Sequence, residues 1–336
     1  MPTSLITGGA GFIGSHVSER LIELGHKVVV LDDLSGGFEE NVPRDAIFVK
    51  GSILDHQLIE RLFERYSFTY VYHLAAYAAE GLSHFIKRFN YQNNLIGSVN
   101  LINASVNGSV KCFVFTSSIA VYGAGQSPMN ESMIPLPEDS YGIAKLAVER
   151  ELNVTHEMFG LDYVVFRPHN VYGERQNIGD RYRNVVGIFM NQLLKGEPMT
   201  IFGDGTQQRA FTYIDNVAPI IASCVDFPEA WTQVFNVGAD APYTVSELAR
   251  VIAEAMGKEY RVVHLDPRNE VKIAFSDHSR SEQVFGTRPK TTLQAGISAM
   301  AEWVKEHGVR ESSIFEDIEI SKNMPPSWAR VARARA

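Results

Sequence analysis

The chain is predicted to fold as a doubly wound α/β protein: a parallel sheet with helices on both faces, carrying a smaller α/β lobe. Three observations predict this. Short apolar runs alternate with amphipathic stretches through the first half, the apolar runs are continuous, and a glycine-rich string joins the first run to the first helical stretch. Strand alternating with helix implies parallel strands joined by helical crossovers. Continuous Val, Ile and Phe runs suit strands covered on both faces.

The elements follow in order. Residues 5–7 form the first strand, and residues 12–24 place apolar side chains at helical spacing. Strand runs follow at 28–31 and 47–49, then a helix over 54–66 with Asp55 near its start. Residues 70–74 read as a strand, 85–106 as one long helix ending at Asn107-Gly108, and 112–115 as a strand. A helix over 141–159 and a strand over 163–166 complete this half. After Pro168 the rhythm loosens: strands at 200–202 and 261–263 stand alone, between helices at 185–194, 217–225, 245–256 and 293–306. The expected division is a sheet domain of residues 1–168 plus about 211–238, and a second lobe of 169–210 and 239–320. The tail, 321–336, reads as a surface extension or frayed end.

Composition narrows the class. The 336 residues are 45% hydrophobic and 21% charged, which is ordinary for a globular protein and excludes a disordered, collagen-like or disulfide-scaffold chain. A net charge of −8 argues against nucleic acid as partner. No apolar run reaches the roughly 18 residues of a membrane span. The N-terminus lacks a basic segment followed by an apolar run and cleavage site, so the expected location is cytoplasmic. Cys112 and Cys224 fall in apolar patterns and are expected to pack in the core. His, Cys and Asp show no metal-ligand spacing, so no metal is expected.

Two signals carry chemistry. The string Gly8-Gly9-Ala10-Gly11-Phe12-Ile13-Gly14 sits between first strand and first helix. Glycines there allow a tight turn and close backbone approach to a diphosphate, and the helix N-terminus supplies unpaired N–H groups. Asp32, about 20 residues on, ends the second strand, where a carboxylate accepts hydrogen bonds from an adenosine ribose and repels the extra phosphate of NADP. NAD is therefore the expected cofactor. The second signal is Tyr141-Gly-Ile-Ala-Lys145, whose ends share a helix face. An ammonium beside a phenol is expected to lower the phenol pKa, so that the phenol exchanges a proton with a sugar hydroxyl near neutrality. Thr116-Ser117-Ser118 follows a strand and offers a hydroxyl to the same oxygen.

Jointly these motifs resemble the extended short-chain dehydrogenase/reductases, in their nucleotide-sugar epimerase and dehydratase group. The resemblance runs from Ser4 to about residue 308. It adds His73-Leu74-Ala75-Ala76, Ile119-Ala120-Val121-Tyr122-Gly123, Arg167-Pro168-His169-Asn170-Val171-Tyr172-Gly173 and Phe202-Gly203-Asp204-Gly205 with Arg209. It implies a Rossmann-type sheet holding NAD and a nucleotide-diphosphate sugar as substrate. By resemblance Ser118, Tyr141 and Lys145 are catalytic. Gly8, Gly11, Phe12, Ile13, Gly14, Asp32, Asp33, Ile53, Leu74, Ala75, Ala76, Asn94 and Ser117, with Tyr141 and Lys145, hold the cofactor. Asn170, Arg183, Asn184, Arg209, Arg268 and Ala274 line the sugar-nucleotide site.

Within the group, 4,6-dehydratases carry an Asp-Glu pair after the serine of the fifth strand, and decarboxylases a Glu in the same stretch. Here Ile119 and Ala120 stand there. The 3,5-epimerases of GDP-sugars use a Cys where this chain has Ala120 and a Lys where it has Arg183. The 4-epimerases need hydride transfer and one proton relay, so the resemblance implies 4-epimerisation first, of the UDP-glucose or UDP-N-acetylglucosamine type. The other three reactions, and dinucleotide binding without catalysis, stay open as alternatives. The loop with Arg175, Arg181 and Arg183 offers guanidinium forks to a diphosphate. His73 is expected at the cofactor edge, and His169 either on the sugar or in a structural role. A small residue at Ala274 leaves room for an acetylated sugar. The resemblance also implies a homodimer, through the helices at 85–106 and 141–159 packed as a four-helix bundle.

Overall fold

The structure, a computed structural model, describes residues 1–125, 127–267, 271–311 and 315–328. Seven parallel strands form the main sheet: β1 (Thr3–Thr7), β2 (Lys27–Asp32), β3 (Ile47–Lys50), β4 (Tyr70–His73), β5 (Cys112–Thr116), β6 (Asp162–Pro168) and β7 (Gln233–Val237). Their spatial order is β7-β6-β5-β4-β1-β2-β3. Winding reverses between β1 and β4, and open α/β sheets bind ligands in the crevice at such a switch point.

Side-chain alternation explains the continuous apolar runs. Ile6, Val28, Val30, Tyr72, Val114, Val164 and Phe166 join one core. Their neighbours Leu5, Val29, Leu31, Val71, Phe113 and Val165 join the core on the opposite face. Both sides of each strand are therefore dry. Helix α1 (Phe12–Glu23) packs on the helix Ala218–Ser223 on the first face. Helices α2 (His56–Tyr66), α3 (residues 87–107) and α4 (Ser140–Phe159) cover the other. Asp55 caps α2, its carboxylate accepting the Leu58 N–H at 2.9 Å, so α2 starts two residues later than periodicity suggests. Both cysteines are buried, and burial pushes both thiols up.

The expected long helix at 85–106 is not uniform. Lys87–Tyr91 runs into a π turn, Gln92–Ile96, before Gly97–Asn107. π turns inside helices mark functional sites often enough to single this one out. In the lobe, Met199–Phe202 pairs with Val262–Leu265, so the two strands that stand alone in the sequence find each other. Gln208–Ala210 pairs with both Pro242–Thr244 and Ile273–Ala274. The tail is a correction: Trp328 is only 7% exposed and joins a buried cluster with Leu82 and Ile86, so the segment before residue 329 is not frayed. Among the described residues no helix is long and apolar enough to cross a membrane, and no group of three His, Cys, Asp or Glu could hold a metal ion.

Candidate active site

The carboxyl ends of the strands open on a cavity of about 1510 Å³. Single small-molecule sites usually measure roughly 300–1,000 Å³, so this one has room for two ligands. Every residue that the resemblance assigns to catalysis, the cofactor or the sugar nucleotide lines it, with two exceptions. Asn94 lies behind the wall, and Arg268 lies outside the described residues.

The glycine turn forms one end. Gly8 has φ +73°, and a Cβ there would come within 2.7 Å of the Ala75 nitrogen. A Cβ on Gly14 would come within 2.1 Å of the Gly8 carbonyl oxygen. The turn can therefore lie against the end of β4 only as glycine. Gly11 is the N-cap of α1 and no side chain caps that helix, so its first N–H groups and positive dipole end are left to an anion. Asp32 accepts the Ala10 N–H at 3.0 Å and the Leu34 N–H at 2.8 Å, tying the turn to the end of β2. Burial raises the Asp32 pKa and these hydrogen bonds oppose it. A carboxylate accepts about four hydrogen bonds, which leaves capacity for a ribose hydroxyl. Asp33 is exposed beside it, its carboxylate on the Ser35 N–H. The residues present thus fit a dinucleotide.

Asn94 acts through a neighbour. From the π turn its amide bridges the Tyr77 N–H (2.8 Å) and the Tyr77 carbonyl (3.1 Å), holding the wall segment that follows Ala76. His73 lies buried beneath. Ser98 donates to the Asn94 carbonyl, so its oxygen accepts from His73 Nε2–H at 2.8 Å, and His73 Nδ1 accepts from the Thr7 hydroxyl at 2.7 Å. The ring is neutral and satisfied, and burial lowers its pKa from 6.5 to about 3. His169 is likewise buried, its ring nitrogens on the Ala210 carbonyl and on His278, and burial lowers its pKa to about 3. Both rings stay neutral in the fold while the unfolded chain takes up protons below pH 6.5. Stability is therefore complete above pH 6.5 and falls as pH drops toward 3, by up to about 1.4 kcal/mol per pH unit per ring. Urea midpoints are expected to be lower at pH 5 than at pH 7; equal midpoints would contradict this account of the two rings.

The reacting end is built by β5 and α4. Asp139 caps α4 by accepting the Gly142 N–H at 2.8 Å, which starts the helix just before Tyr141. Ser118 hydrogen-bonds the Tyr141 phenol and also accepts the Ala120 N–H at 3.1 Å. The expected lowering of the phenol pKa by Lys145 is not met. Burial pushes the phenol well above its ordinary value, Glu80 and Asp139 add to this, and Ser118 and Arg183 oppose it. Lys145 Nζ instead donates to the Thr116 carbonyl at 2.8 Å and lies 4.6 Å from the Phe115 ring centre and 5.7 Å from that of Tyr141. It is the lysine that shifts: burial lowers its pKa to about 7 against the pull of Glu149. The physical reason is depth, since neither charge has water to support it.

Sequence reasoning missed the group that supports this lysine. Tyr141, Lys145 and Glu149 recur at helical spacing of four along one buried face of α4. Glu149 accepts from Arg167 Nε (2.9 Å) and Nη2 (2.5 Å) and from Ser117 Oγ (2.5 Å). Ser117, expected on the cofactor, thus spends its hydroxyl on this ion pair. Burial works against the Arg167 charge, and Glu149 more than offsets it. The i+8 position from Tyr141 was the available signal.

The lobe residues are also partly committed to structure. Asn184 caps the helix Val185–Leu194 through the Val186 N–H and donates to the Val171 carbonyl. Asn170 donates to the Ala210 carbonyl at 3.2 Å. The Arg209 guanidinium donates to the carbonyls of Gln208, Val271 and Lys272, which pins Ala274 beside it on the next strand. Arg183 pairs with Asp180 at 2.6 Å, sits 4.8 Å over the Tyr77 ring and reaches Gly36 in the loop after β2. It therefore lies on the glycine-turn side of the cavity, further from the lobe than expected. Arg175 pairs with Glu19 of α1 at 2.8 Å.

A glycine turn at the switch point, a buried Ser-Tyr-Lys set on β5 and α4 and a second lobe over the same cavity define a short-chain dehydrogenase-type enzyme with an added substrate lobe. The chain belongs to the NAD dependent epimerase/dehydratase family, whose model matches residues 4–238. It is 35% identical over 310 residues to the UDP-glucose 4-epimerase of Mycolicibacterium smegmatis, covering 90% of this chain and 98% of that one. Its fold matches a UDP-glucose 4-epimerase from Thermotoga maritima with UDP-glucose at TM-score 0.87 and 36% identity, over 91% of this chain and 99% of the other. It also matches a UDP-glucuronic acid 4-epimerase from Bacillus cereus, in complex with UDP-glucuronic acid and NAD, at TM-score 0.83 and 28% identity, over 91% and 99% of the two chains. The family is one of NAD-dependent nucleotide-sugar epimerases, and the similar proteins differ in their sugars.

Proposed function

We propose that the chain is a nucleotide-sugar 4-epimerase acting on UDP-glucose or UDP-N-acetylglucosamine with tightly held NAD. The observation that carries this is the turn after β5. Ile119 and Ala120, side chains with no proton to exchange, follow Ser118 where dehydration or decarboxylation needs an acid and a base.

Residues 1–168 with about 211–238 hold the dinucleotide: the α1 N-terminus takes its diphosphate and Asp32 its ribose. The lobe, 169–210 with 239–320, holds the sugar nucleotide. Asn170, Asn184 and Arg209 line its side of the cavity, and Ala274 leaves space for an acetylated sugar. Ser118 orients the sugar 4-oxygen, and Tyr141 acts as base only in its phenolate form, which takes the 4-hydroxyl proton and later returns it. Lys145, whose Nζ donates to the Thr116 carbonyl and whose charge Glu149 favours, lies beside the phenol ring and, when protonated, supports the phenolate. NAD, when bound, supplies the hydride acceptor and donor for C4. Because the keto sugar must turn over between the two transfers, binding energy belongs on the nucleotide and diphosphate rather than on the ring.

The exposed Ile96 of α3 and Ile143, Val154 and Met158 of α4 support a homodimer through these helices. Sedimentation equilibrium is expected to give twice the chain mass, and a monomer at every concentration would contradict it. The reaction is tested by incubating the protein with a panel of nucleotide sugars, without added NAD, and following products by NMR. Interconversion of a UDP-hexose and its 4-epimer is expected. Loss of water or of carbon dioxide would favour the dehydratase or decarboxylase reading instead.

A further inference from the structure

We propose that the C-terminal segment 315–328 is part of the ligand site, a strap whose aromatic side chains close the cavity over the bound dinucleotide. This rests on the reading of the cavity given above.

Phe315 lines the cavity together with Tyr77, Phe89 and Arg183. Its ring centre lies 4.8 Å from that of Phe89 and 5.5 Å from that of Tyr77. Arg183 covers Tyr77 and reaches Gly36. Tyr77 belongs to the loop after β4 and Gly36 to the loop after β2, and β1 with its glycine turn lies between those strands. The stack Phe315–Tyr77–Arg183 therefore spans the place where a dinucleotide diphosphate would sit on α1.

The strap is anchored on both sides of the mouth. On the cofactor side the Glu319 carboxylate accepts the Arg88 N–H at 2.8 Å and the Phe89 N–H at 2.9 Å, at the start of Lys87–Tyr91. The Glu319 and Ile320 N–H groups donate to the Phe85 carbonyl. On the lobe side Trp328 packs edge-on against Tyr182 at 5.4 Å and Phe202 at 6.4 Å, and it also touches Phe85 at 6.3 Å. One indole thus bridges the two walls, and a dinucleotide leaving under the strap must break these contacts.

Two of the similar proteins are matched over 98% and 99% of their lengths by about nine tenths of this chain.

The test is exchange of bound NAD against labelled NAD, in the full-length protein and in a Phe315→Ala/Trp328→Ala double variant. Exchange is expected to be roughly tenfold faster or more in the double variant, since aromatic pairs of this geometry each add to the barrier. Glu319→Gln keeps every ring contact and is expected to speed exchange by a smaller factor; it decides the matter should the double variant not fold. Unchanged exchange in the folded variants overturns the strap and leaves the epimerase reading standing. A wild-type protein that neither carries NAD nor takes it up, and converts no nucleotide sugar, overturns both.

Discussion

Tyr141→Phe is expected to lower the rate of 4-epimerisation by roughly 10²–10⁴-fold, the usual range for a positioned acid–base group. Nucleotide-sugar binding should survive. The substitution removes one oxygen and keeps the ring that Lys145 lies against, so packing at the cavity wall is retained. What disappears is the phenol that hydrogen-bonds Ser118. Rates by product NMR and affinities by calorimetry read the two effects separately. A variant within a few-fold of the native rate would mean that another group moves the proton.

The second large effect is expected at Glu149. Glu149→Ala leaves the Arg167 guanidinium buried without its carboxylate, and the Ser117 hydroxyl without its acceptor. Breaking a buried pair from one side costs about 3–5 kcal/mol, because the remaining charge is uncompensated. Replacing both partners with apolar residues, as in Glu149→Leu/Arg167→Met, should recover most of that loss. Urea denaturation of the single and double variants measures it. A single variant as stable as the native protein would contradict the weight given to this pair.

Much of this was legible in the chain itself. The strands of the main sheet are apolar on both faces, so their runs stand out against any helix. The glycine turn is legible because no other residue fits between Gly8, Ala75 and the start of α1, and Tyr141-Gly-Ile-Ala-Lys145 because helical spacing puts its ends on one face. Three things were not legible, for reasons that are tertiary. The π turn at 92–96 leaves no mark on a helical pattern, since one widened turn barely shifts the apolar positions. The strap carries Phe315 and Trp328 without any period, and their partners Tyr77, Phe89 and Tyr182 are far away in sequence. The direction of the Tyr141 shift depends on how deep the pair lies: proximity to a lysine argues downward, while burial of both groups drives the phenol up and the ammonium down to about 7. Global charge misleads in the same way. A chain of net charge −8 still offers anion sites where a helix N-terminus and a few arginines are placed locally.

The most direct test of internal 4-epimerisation is to run the reaction in D₂O and examine the product by proton NMR. The hydrogen on C4 should leave and return inside the site, so the 4-epimer should form without carbon-bound deuterium and without added NAD. Deuterium at C3 or C5 of the ring would mean that carbon–hydrogen bonds open to solvent, and 4-epimerisation by internal hydride return would be wrong.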